Sequence, residues 1–66
     1  MKSLFINGER KQTDAADLHA LFCELGLPAA LLLVEYNGMA LTRSEWDEVH
    51  LKEGDYLELL SVAAGG

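Results

Sequence analysis

The sequence predicts an α+β fold, with one amphipathic helix laid on one face of a mixed sheet of four to five strands. Three observations carry this. Leu18, Leu21, Phe22 and Leu25 recur at i, i+3, i+4 and i+7 and form one helical apolar stripe. β-rich or alternating apolar runs stand near the start, in the middle and near the end, separated by two Asn-Gly pairs and a Glu-Gly-Asp segment. The chain has 66 residues, enough for a single core and no second domain.

Lys2 to Ile6 reads as the first strand by its β-forming composition. Asn7-Gly8 follows directly and signals a tight hairpin, because both central residues of such a turn need positive φ. Glu9 to Thr13 is then a polar return strand at an edge, where Lys11 discourages pairing with another sheet. For the helix, Thr13, Asp14 and Asp17 are all acceptable caps, and Asp17 places the stripe immediately after it. Gly26 supplies a left-handed stop and Pro28 blocks continuation.

Ala29 to Tyr36 reads as a strand whose near-continuous apolar start suggests a central position, shielded on much of both faces. Asn37-Gly38 is the second turn and Met39 to Thr42 a short strand. Ser44 to Asp47 reads as a helical turn capped by the serine, with an acid three residues on, Asp47. Glu53-Gly54-Asp55 is the third turn, its two carboxylates explained by turn preference and solvation. The last strand alternates, Leu57 and Leu59 on one face, Tyr56, Glu58, Leu60 and Val62 on the other. The expected core is the helix stripe with Leu4, Ile6, Val34, Tyr36, Leu57 and Leu59. The folded domain is expected over 1–62, with a flexible tail over 63–66.

Five basic and eleven acidic residues give a formal charge of −6, which disfavours phosphate backbones and suits a partner with a basic surface. Cys23 is the single cysteine, so an internal disulfide is impossible and a reducing, cytoplasmic setting is expected. The start has no secretory h-region, and the longest apolar run is too short to cross a bilayer. No nucleic-acid or membrane partner is therefore expected.

The closing segment is the candidate functional element. The alternating strand runs into Ala63, Ala64, Gly65 and Gly66 without a polar spacer. Glycine has no Cβ and adapts to a narrow slot. The five residues from Val62 onward, fully extended, would reach roughly 16 Å. This predicts a terminal carboxylate on a thin arm that enters another protein's active site.

These features together resemble the ThiS family, the sulfur-carrier proteins of thiamin biosynthesis. The likeness covers essentially the whole chain. It rests on Asn7-Gly8-Glu9, Leu21-Phe22 with Glu24-Leu25-Gly26, and Tyr36-Asn37-Gly38. It continues through Arg43-Ser44-Glu45-Trp46, Glu53-Gly54-Asp55 and Gly65-Gly66. Thr42 stands where many members have proline, and Ala63-Ala64 where others have a bulkier residue or a further glycine.

The resemblance implies a β-grasp, ubiquitin-like fold and a protein that is a co-substrate rather than an enzyme. It implies that the Gly66 carboxylate is adenylated with ATP and Mg by an activating enzyme of the ubiquitin-E1 (ThiF) type. The adenylate would become a thiocarboxylate, with sulfur from a cysteine desulfurase persulfide. Thiazole synthase (ThiG type) would then take that sulfur. The chain itself is expected to bind no cofactor. Carriers for molybdopterin or cysteine synthesis, which share fold and terminal glycines, are the alternative, as is a ubiquitin-like modifier joined to lysines.

An arm needs an anchor near its base. Phe5, Leu60 and Val62, on the sheet face turned away from the helix, are read as the partner-binding patch. Cys23 lies opposite the helix stripe, with no general base at a suitable spacing, and reads as a small flank residue rather than a sulfur acceptor. His19 and His50 lack metal-ligand spacing and no metal site is expected. Trp46 is expected to pack against the end of the sheet with Arg43 stacked nearby.

Overall fold

The structure is a computed structural model that describes residues 1–62; the predicted tail, 63–66, lies outside the described residues. Five strands form one mixed sheet: β1 (Lys2–Ile6), β2 (Glu9–Thr13), β3 (Leu32–Tyr36), β4 (Met39–Leu41) and β5 (Tyr56–Ser61). Their spatial order is β2-β1-β5-β3-β4. β1 and β5 run parallel at the centre, while every other neighbouring pair is antiparallel. The single helix α1 (Leu18–Leu25) buries Leu18, Leu21 and Phe22 in the core, together with Leu4, Ile6, Val34 and Leu57 of the sheet. This is the α+β, β-grasp arrangement.

Both hairpins form as the Asn-Gly pairs predict. Asn7 and Gly8 have φ of 51° and 84°, Asn37 and Gly38 of 49° and 85°. α1 starts on Asp17, whose carboxylate accepts the Ala20 N–H at 2.8 Å, and stops at Gly26 in the left-handed region.

Both asparagines also do something that local pattern does not reveal. Once β1 has ended, Asn7 continues its ladder with a side chain. Its Oδ1 accepts the Leu59 N–H at 2.7 Å, and its Nδ2 donates to the Leu59 carbonyl at 3.1 Å. On the other side of β5, Asn37 Oδ1 accepts the Tyr56 N–H at 2.8 Å. Aspartate would tolerate the same turn backbone but offers no donor to the Leu59 carbonyl.

Several expectations are corrected. The middle strand begins at Leu32, not Ala29, because Ala29–Leu31 closes a 3-10 turn in which the Leu31 N–H bonds the Pro28 carbonyl. That strand is shielded on one face only. Leu32 and Val34 are buried, whereas Leu33 is 56% exposed, since all the covering elements lie on one side. The Arg43–Glu48 segment is a 3-10 helix capped by Thr42 rather than Ser44: the Glu45 carboxylate accepts the Thr42 N–H at 2.7 Å and the Thr42 hydroxyl at 3.1 Å.

The fourth correction concerns the Glu53-Gly54-Asp55 turn, which solvation does not explain. The Glu53 carboxylate accepts the Ser3 N–H at 2.8 Å. Asp55 is only 6% exposed and accepts three donors: the Tyr36 hydroxyl at 2.6 Å, the Lys52 N–H at 2.8 Å and Asn37 Nδ2 at 3.2 Å. The turn is thereby tied to both β1 and β3.

This knot makes stability depend on pH in a defined sense. Burial alone would raise the Asp55 pKa, but the Tyr36, Lys52 and Asn37 donors and the nearby Lys52 charge outweigh it and hold the group below its ordinary value of 3.8. A carboxylate depressed by folding contributes stability that is complete above its unfolded pKa and is lost as pH falls through the folded one. Tyr36 is pushed up to about 12, by burial first, then by its bond to Asp55 and that residue's charge. Its contribution is complete below its unfolded pKa, 10.0, and is lost as pH rises towards about 12. Urea midpoints measured across pH should therefore fall at both extremes. Asp55→Asn should flatten the acid limb, and an acid limb of unchanged steepness would count against this assignment.

Trp46 is the largest fully buried side chain. Its ring meets Phe22 edge-on, with centroids 5.2 Å apart. The 3-10 helix that carries it packs against the edge strand β4, as expected, and also against α1, because an eight-residue helix covers only part of a five-stranded sheet and this segment fills in beside it. Val49 and Leu51 complete the core. Leu25, Tyr36 and Leu59, expected as core, are only partly buried.

Candidate functional site

The site is organised around β5. As the centre strand it is held on one side by β1 and the Asn7 side chain and on the other by β3 from Leu32 to Tyr36. The hold continues past the strand end, where the Val62 N–H bonds the Leu31 carbonyl at 2.7 Å. Leu31 belongs to the Ala29–Leu31 turn, and that turn is clamped in its own right. The Arg43 guanidinium lies over the Trp46 ring, 4.9 Å from its centroid, and donates to the Ala29 carbonyl at 2.9 Å. The Arg43 and Trp46 pair thus holds the turn to which Val62, the last described residue, is bonded.

The outer sheet face is open. Phe5, Leu60 and Val62 are all exposed there, Leu60 to 63%. They do not form one contiguous patch, which corrects the expectation of neighbours. Phe5 pairs with Tyr56 and stacks on it, with ring centroids 6.3 Å apart. Leu60 is four residues further along β5, roughly 13 Å away, and lies opposite Leu33. The face therefore carries an aromatic pair at one end and Leu33, Leu60 and Val62 at the other, beside the exit of the chain. Between them Glu35 lies directly opposite Glu58. Glu58 also raises the pKa of the neighbouring Tyr56 hydroxyl, by hydrogen bonding and then by its charge.

The remaining candidates fall on the opposite side or outside. Cys23 is exposed on α1. His19 pairs with Asp47 at 2.9 Å and lies tilted against Trp46, so it links α1 to the 3-10 helix. Among the described residues no group of three His, Cys, Asp or Glu side chains is placed to hold a metal. Among these residues, too, no helix is long and apolar enough to cross a membrane. Ala63, Ala64, Gly65 and Gly66 lie outside the described residues. Sequence reasoning missed Leu33 and the Glu35–Glu58 pair; the alternation of Leu33 and Glu35 with Leu32 and Val34 is the signal that would have found them.

The family model of the ThiS family matches residues 4–66. The chain belongs to the ThiS family. The crystal structure of the thiamine biosynthesis protein ThiS from Geobacter metallireducens agrees, with a TM-score of 0.79 and 32% identity over 97% of this chain and 99% of that one. The uncharacterized protein ycf40 of Trieres chinensis is 30% identical over 66 residues, which is 98% of this chain and 90% of that protein. A thiazole synthase of Paramagnetospirillum magneticum is 34% identical over 64 residues, 96% of this chain. The chain spans about a fifth of that protein's length, 20%. ThiS-family proteins are small sulfur carriers, co-substrates rather than catalysts.

Proposed function

We propose that this chain carries the sulfur of the thiazole ring in thiamine biosynthesis. The observation that carries the reading is that the family match runs from residue 4 through Gly66, so it takes in the terminal glycines as well as the folded body. In this reading Gly66 provides a carboxylate that is unreactive as it stands, because its charge repels nucleophiles and it has no leaving group. An adenylating enzyme of the ubiquitin-E1 (ThiF) type, using ATP and Mg, joins a carboxylate oxygen to the α-phosphorus and expels pyrophosphate. The terminal sulfur of a cysteine desulfurase persulfide then displaces AMP to give an acyl disulfide, a thiol reductant cleaves its S–S bond and is itself oxidised to a disulfide, and the thiocarboxylate released is the sulfur source for thiazole synthase (ThiG type). Water must be excluded while the adenylate exists, which favours a narrow arm of alanines and glycines.

Two observations support the partners. A thiazole synthase contains, within a fifth of its length, a stretch 34% identical to this chain. The exposed Leu33, Leu60 and Val62 stand at the end of β5 nearest the last described residue, where a docking enzyme needs purchase. The test is mass spectrometry of the intact chain after incubation with the adenylating enzyme, ATP, a persulfide donor and a thiol reductant. The expected product has one terminal oxygen replaced by sulfur; isopeptide-linked lysine adducts would replace this reading with that of a protein modifier.

Docking is tested separately. Leu60→Asp should weaken binding to the adenylating enzyme by about thirtyfold, the effect of losing a central interface anchor. The melting temperature should hold within a few degrees, because Leu60 is exposed. Unchanged affinity would remove this face from the interface.

A further inference from the structure

The centre strand β5 loses one of its neighbours before it ends. Its pairing with β1 stops at Leu57, and the Asn7 side chain carries that side only as far as Leu59. From Leu60 onward the strand is held from the β3 side, opposite Leu33 and Leu32, and then by the bond from the Val62 N–H to the Leu31 carbonyl. Gly66 follows four residues later. The placement of Val62 therefore depends on the Ala29–Leu31 turn, and that turn has little of its own to hold it. None of its three residues is buried, and no side chain caps it at Pro28. The Leu31 and Leu32 N–H groups bond back to the Pro28 and Ala29 carbonyls, which closes the turn on itself. Among the described residues a single side-chain hydrogen bond reaches it, from Arg43 Nη2 to the Ala29 carbonyl at 2.9 Å.

Arg43 is itself firmly placed. It opens a 3-10 helix whose first turn is fixed by the Thr42 and Glu45 capping box. Its guanidinium rests on the ring of Trp46, which is 2% exposed and so a rigid support. It forms no ion pair with a described carboxylate, although the chain has eleven acidic residues. Arg43, Trp46, Leu31 and Val62 line one cleft. We propose, on the reading of Gly66 as the reacting group, that Arg43 is a positioning residue for adenylation: through Ala29 and the Leu31 carbonyl it fixes the direction in which the chain continues from Val62. A docked carrier is adenylated only in the fraction of complexes whose carboxylate meets the α-phosphorus, and a fixed root raises that fraction. The planar guanidinium can cover the indole and donate at its edge at the same time, which a lysine ammonium does not reproduce.

The test pairs kinetics with a local probe. The rate of AMP formation is measured with the adenylating enzyme and ATP over a range of carrier concentrations, and hydrogen exchange of the Val62 amide is followed by NMR in the free chain. Arg43→Ala should lower kcat about tenfold with KM for the carrier unchanged. It should speed exchange at Val62 while leaving the β1 amides and, within a few degrees, the melting temperature as they are, because Arg43 is exposed and only the local opening is affected. Arg43→Lys keeps the charge and should stay closer to Arg43→Ala than to the native chain in both readouts. A raised KM with native kcat would make Arg43 a direct docking contact and overturn the proposal. So would a lowered kcat with native exchange at Val62, or recovery of kcat by Arg43→Lys without recovery of Val62 protection, since charge and not position would then be responsible. Faster exchange throughout the sheet would reduce Arg43 to a general stabiliser and overturn it equally. Native kcat in Arg43→Ala defeats this proposal alone; a native chain that is not adenylated at all defeats the carrier reading and this proposal with it.

Discussion

Deleting Gly66 abolishes thiocarboxylate formation and leaves the melting temperature of the domain unchanged: this is the expected result for a carrier whose reacting group is its last residue. The variant still ends in a glycine carboxylate, so the chemistry of the terminus is preserved and only reach is altered. One residue of extended chain is roughly 3.5 Å. A displacement of about 1 Å at a reacting centre can cost about a hundredfold, so a carboxylate held a full residue short does not meet the α-phosphorus. The strand cannot compensate by sliding within its own domain. β5 is paired on both sides, and Val62 is bonded to a turn that Arg43 clamps. Gly66→Ala keeps the reach but adds a methyl group beside the reacting carbon, and loading should slow rather than stop. The measurement is intact mass after incubation with the adenylating enzyme, ATP, persulfide donor and thiol reductant. A deletion variant that still gains sulfur would show that the reacting carboxylate is not at position 66.

Phe22→Ala should unfold much of the population at physiological temperature. Phe22 is 1% exposed and packs edge-on to Trp46. Large-to-small substitution of a buried phenylalanine costs about 3–5 kcal/mol. A domain of this size holds on the order of 3–10 kcal/mol in total and has no disulfide to fall back on. In a domain of 60–100 residues each kcal/mol lowers the melting temperature by about 4–8 °C, so the loss should exceed about 12 °C. Cys23→Ala, one residue along on the exposed side of the same helix, should change it little. Circular dichroism melts of the two variants decide the matter. A modest loss in Phe22→Ala would mean that the Trp46 layer closes over the cavity instead of collapsing with it.

The contrast between neighbouring residues such as Phe22 and Cys23 was legible from the helical period alone, as were both Asn-Gly turns, the Asp17 cap and the Gly26 stop. Each is decided by atoms within a few residues along the chain. The errors share a different origin. A run of apolar residues from Ala29 onward has no local feature that separates a 3-10 turn from a strand. Thr42 rather than Ser44 caps the next segment because the reach of the Glu45 side chain, not the identity of the hydroxyl, selects the cap. Asp55 passed for a solvated turn residue because its three donors come from Tyr36, Asn37 and Lys52, two of them on the far side of the Arg43–Glu48 helix in sequence.

What the chain determined unaided is therefore its set of elements, its one-helix core and, through the resemblance of its motifs, its family. What tertiary structure alone decided is adjacency. Phe5 is separated from Leu60 and Val62, Leu33 is brought opposite Leu60, Glu35 is set against Glu58, and Asn7 reaches Leu59 fifty-two residues away. The physical reason is that a turn or a cap is a short-range steric choice. The partner of a strand residue depends instead on the order and register of the whole sheet, which no stretch of sequence contains by itself.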